Sequence, residues 1–123
     1  MVPDTRAFVT DFRRLKVTLP FTAHLKGVVV GEKSDRLTNS GAEQIIFTLM
    51  DRQRRTVPCI AHNVSADPEM FTEGTELLLF YAVGTEGLKK TPGSVWIFSD
   101  SYVFSTGSIS LPGAPIEEII LMP

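Results

Sequence analysis

Short apolar stretches separated by polar turns occupy the middle of the chain. Gly27-Val28-Val29-Val30 is followed by a polar segment, residues 32–42. Gln44-Ile45-Ile46-Phe47-Thr48-Leu49-Met50 runs into a charged turn, Asp51-Arg52-Gln53-Arg54-Arg55, and out into Thr56-Val57-Pro58-Cys59-Ile60-Ala61-His62. Strict two-residue alternation in these runs predicts half-buried strands. Val29, Phe47, Leu49, Val57, Cys59, Leu77 and Leu79 should face inward, with Phe71 beside them. Asp67-Pro68-Glu69-Met70-Phe71 predicts a brief helix, with aspartate at its cap and proline in its first turn. Glu76–Val83 and Val95–Phe98 supply two further strands.

The first strand is expected over Thr22–Gly31, bent by a bulge at Gly27, with residues 32–42 as a loop. Residues 84–93 read as a hairpin loop, Asp100–Phe104 as a continuation of the last strand past a bend, and Gly107–Pro115 as irregular. Phe8, Phe12 and Leu15, spaced i, i+4, i+7, suit one face of a short helix. Three strands, a helix and two strands is the order of an all-β, five-stranded Greek-key barrel of the OB-fold type, with short terminal elements. The expected divisions are 1–21, an N-terminal extension packed on the barrel; 22–106, the barrel; and 107–123, a C-terminal tail.

With 43% hydrophobic and 21% charged residues over 123 positions, the chain is expected to form one globular domain. Its apolar runs fall short of the roughly 20 residues that span a bilayer. The charged first twenty residues do not resemble a signal peptide, and a location in nucleus or cytoplasm is expected. The lone cysteine excludes an internal disulfide; Cys59, in an apolar strand, reads as a small buried residue. His24 and His62 stand at no metal-ligand spacing, no phosphate-binding glycine loop precedes a helix, and no nucleophile elbow is present. No enzyme activity, metal or cofactor is expected.

The segment from Gln44 to Phe104 resembles the single-stranded DNA-binding domains of the replication protein A family. The resemblance rests on Phe47-Thr48-Leu49-Met50-Asp51, on Val57-Pro58-Cys59-Ile60-Ala61-His62-Asn63, and on Met70-Phe71-Thr72-Glu73-Gly74-Thr75-Glu76-Leu77. Two departures stand out: Arg52-Gln53-Arg54-Arg55 where that family often has a hairpin glycine, and His62 where it commonly has an aromatic. The resemblance implies binding of a single nucleic-acid strand, DNA ahead of RNA, across the second and third barrel strands. Cations would follow the phosphates and flat rings would hold bases. Lys26, Lys33, Arg36, Arg52, Arg54, Arg55, Lys89 and Lys90 are the candidate cations; Trp96, Tyr81 and His62, with Phe98 nearby, are the candidate stacking groups. A net charge of −2 argues against indiscriminate binding. The rival reading is a protein-interaction barrel that docks partners through Phe8, Phe12 and Leu15 or through the apolar tail. An oligosaccharide or small-ligand barrel stays open as a third.

Overall fold

A computed structural model describes residues 8–15, 19–86 and 92–122. The strands among them are β1 (Phe8–Val9), β2 (Phe21–Leu37), β3 (Glu43–Met50), β4 (Arg55–His62), β5 (Thr75–Thr85), β6 (Ser94–Ile97), β7 (Tyr102–Ser108) and β8 (Glu117–Glu118). Closure depends on β2. Its first half pairs with β5 and its second with β3, and Val28 belongs to both ladders, opposite Glu76 and Met50. From β3 the sheet passes to β4, then by a parallel pairing to β6, and back to β5. The ring β2–β3–β4–β6–β5 is the OB-fold barrel.

The bend in β2 differs from expectation. Gly27 lies in regular register opposite Leu77, and the irregularities fall between Ala23 and Leu25 and between Val30 and Ser34. Gly27 is required for a different reason: a Cβ there would stand 2.8 Å from Leu49 Cγ and 2.8 Å from the Met50 carbonyl oxygen. Nor does β2 end at Gly31. It continues to Leu37 as a two-stranded ribbon with β3, Ser34 opposite Ile46 and Leu37 opposite Glu43. Largely exposed on its outer reach, this ribbon has the composition of a loop while keeping the hydrogen bonds of a ladder.

Every residue expected in the core is buried, and both chain ends add to it: Phe12 and Leu15 from one, Ile119 and Leu121 from the other. The N-terminal segment is not a continuous helix. Phe8 sits in a parallel pairing with β2, and Phe12–Leu15 form a single 3-10 turn. The buried Asp51 carboxylate binds this turn to the β3–β4 hairpin, accepting from the backbone N–H of Phe12 (2.7 Å), Gln53 (2.9 Å) and Arg55 (2.9 Å). Phe12 and Leu15 are therefore spent inside this chain and present no surface to a partner.

The Pro68–Phe71 3-10 helix begins as expected, with Asp67 accepting from the Glu69 N–H. Past a turn at Phe98–Ser101, β7 pairs with β5 and runs on to Ser108, two residues into the stretch expected to be irregular. Beyond it the tail is a strap. Ile109 N–H donates to Gly74, Leu111 packs on Val28, Val30 and Met50, and Ile116 N–H donates to Arg54. Next, β8 pairs with β4, and Ile119 and Leu121 enter the core.

Cys59 is fully buried, and desolvation pushes its thiol well up, away from the reactive thiolate. A thiol reagent should therefore modify it only on unfolding. Rapid labelling of the native protein would contradict this burial.

Candidate nucleic-acid interface

Residues directly opposite one another across antiparallel strands point to the same face. On the outer face of the barrel, register aligns Arg36 with Gln44 and Gln44 with His62. One row below, Ser34 faces Ile46, Ile46 faces Ile60, and Ile60 faces Trp96 on β6. Neighbouring strands lie about 4.8 Å apart, so the first row crosses three strands and the second four, at right angles to them. Rings close the far end. Trp96 stacks on Phe98 with centroids 5.5 Å apart and planes at 16°, and His62 lies 5.8 Å from Trp96 and 5.9 Å from Phe98. All three are half-buried, as are Ile46 and Ile60, which form an apolar floor beside them.

The polar end is connected side chain to side chain. Arg36 Nε donates to Gln44 Oε1 at 2.6 Å, and Gln44 Nε2 donates to His62 Nδ1 at 2.9 Å. Among the described residues Arg36 makes no ion pair, so its charge is not neutralised by a carboxylate. Lys33 on the same ribbon bonds Asp35 at 2.8 Å.

The structure thus gathers Arg36, His62 and Trp96 from the expected set, along with Phe98. It disperses others. Lys26 lies on the half of β2 that pairs with β5, 4.0 Å from Glu76. Tyr81 sits on β5 with its ring against His24, centroids 4.7 Å apart. At the hairpin, Arg52 is exposed, the Arg54 side chain runs beside Gly113, and Arg55 faces Asp11 at 3.6 Å and Glu117 at 3.0 Å. Lys89 and Lys90 lie outside the described residues. Gln44 was missed altogether. Its place between a cation and an imidazole depends on cross-strand register, which the sequence around it does not encode.

A second aromatic surface adjoins the Trp96 row, since Phe98 N–H donates to Ser101 Oγ, which in turn donates to the Tyr81 carbonyl. Phe8, His24, Phe80, Tyr81 and Phe104 form a chain of ring contacts over β1, β2, β5 and β7. Tyr81, Tyr102 and Phe104 are 42%, 58% and 53% exposed there. Tyr81 holds a positive φ of 58°, its N–H donating to His24 Nδ1 and its carbonyl accepting from Ser101 Oγ.

No protein-family model and no curated protein matches the sequence. Among solved structures, the chain is similar to part of a replication protein A heterotrimer bound to single-stranded DNA. The TM-score is 0.61 at 16% identity, over 95% of this chain and 31% of that one. This likeness shows a shared fold: the chain is an OB-fold β-barrel, spanning under a third of the chain it matches. Among the described residues no helix is long and apolar enough to cross a membrane.

Proposed function

We propose that this chain is a binding module, not an enzyme, and that it takes single-stranded nucleic acid, DNA ahead of RNA, across β2, β3, β4 and β6. The observation that carries the reading is the outward row of Trp96, Phe98 and His62 beside an Arg36 free of ion pairs among the described residues. Flat rings accept any base through its π-face, and a cation beside them accepts the phosphate linking two bases. The structural neighbour's single-stranded DNA supports the same reading by analogy of fold.

Trp96 is the only tryptophan in the chain, so its fluorescence reports the site directly. Titration with a thymidine oligomer should quench the emission in a saturable way, and a matched duplex should not. Emission that ignores the single strand removes the base-stacking role.

One observation favours a second reading, a subunit that docks on another protein: the exposed rings Tyr81, Tyr102 and Phe104. Contiguous apolar surface of this kind commonly marks an interface. Ser101 joins Phe98 to Tyr81, so a partner docked on these rings would border the Trp96 row.

A further inference from the structure

We infer that Gln44 is the positioning residue of this surface, fixing His62 as the neutral tautomer protonated at Nε2 while holding Arg36 beside it. The inference rests on the binding role proposed above, but its first consequence is readable in the free protein. Arg36 Nε can only donate, so the Gln44 atom 2.6 Å away is its acceptor oxygen. That turns the amide nitrogen, which also only donates, toward His62 Nδ1 at 2.9 Å. Nδ1 must then accept, which places the imidazole proton on Nε2.

Turning the amide over would set donor against donor at Arg36, and its oxygen would then face Nδ1, which could bond it only in the other tautomer. Gln44 is only 4% exposed, which leaves little room for water to mediate instead. The ring so fixed is the one 5.8 Å from Trp96 and 5.9 Å from Phe98, so the three-ring surface is set before a strand arrives. Pre-organisation of this sort removes an ordering cost from binding. Because the amide oxygen carries no net charge, Arg36 keeps its full positive charge for a phosphate.

The test is Gln44→Glu, which preserves length and shape but can only accept. His62 would then have to offer Nδ1–H, and Arg36 would gain an ion pair. Long-range proton–nitrogen spectra of the free protein at neutral pH should show the His62 proton on Nε2 in the parent and on Nδ1 in the variant. His24, whose Nδ1 accepts from the Tyr81 N–H, should keep its proton on Nε2 in both. In binding to a thymidine oligomer, loss of one phosphate contact should flatten the slope of log K against log salt by about 0.7.

Should the variant not fold, the parent spectrum decides the first point alone, and Gln44→Met, which removes both bonds without adding charge, should give a mixture of His62 tautomers. A parent with its His62 proton on Nδ1, or a tautomer unmoved by the substitution, overturns the positioning role. An unmoved salt slope overturns the link to Arg36. A parent with the expected tautomer that binds no strand overturns the proposed function instead.

Discussion

Phe47→Ala should destabilise the domain by about 3–5 kcal/mol, the usual cost of replacing an enclosed phenylalanine by alanine. Phe47 is 2% exposed on the inner face of β3 and packs on Phe71, with ring centroids 4.9 Å apart. Deleting its ring leaves a cavity and removes an aromatic pair that contributes about 0.5–1.5 kcal/mol beyond buried area. Against a total stability of about 5–15 kcal/mol for natural domains, the variant should unfold at markedly lower urea concentration. An unchanged midpoint would mean that the inward face of β3 is the other one, carrying Ile46 and Thr48. A one-residue slip in register would produce that inversion.

Trp96→Ala should have the largest effect on binding. Stacking of a base on an aromatic side chain contributes about 1–3 kcal/mol, which is about 5- to 150-fold in Kd. Because stacking is not ionic, the salt slope should stay near that of the parent while affinity falls. The side chain is half-buried on the outer surface, with its neighbours Val95 and Ile97 holding the core, so the fold should tolerate the change. Arg36→Ala should do the reverse, flattening the slope with a smaller loss of affinity at high salt. If Trp96→Ala binds like the parent, the bases rest elsewhere and the outward row is not the site.

Much of the barrel is legible in the sequence because alternation of period two is a local signal. Val57, Cys59 and Ala61 point in, while Ile60 and His62 point out. Phe47 and Leu49 against Gln44 and Thr48 behave in the same way. Other features are set by partners far along the chain. The outer reach of β2, Lys33 to Leu37, looks like a loop because its faces are solvated, and only the ladder with β3 makes it a strand. Gly27 is small because Leu49 and Met50 approach it, a contact with no local trace.

The hairpin shows the same limit. Arg55 has no acidic neighbour within its own β4 strand, and the carboxylates it meets, Asp11 and Glu117, come from opposite ends of the chain. Gln44 carries no signal either, since its role exists only once the irregularity between Val30 and Ser34 has brought Arg36 opposite it.

The most direct test of the central claim is a fluorescence-anisotropy titration of the parent with a labelled thymidine oligomer at two salt concentrations, beside an RNA oligomer and a duplex. Saturable binding to the single strands, tightest for DNA and weak for the duplex, is predicted. With one phosphate contacted at Arg36, log K should fall against log salt with a slope of about −0.7. Equal affinity for duplex and single strand, or no binding at low salt, would contradict the account.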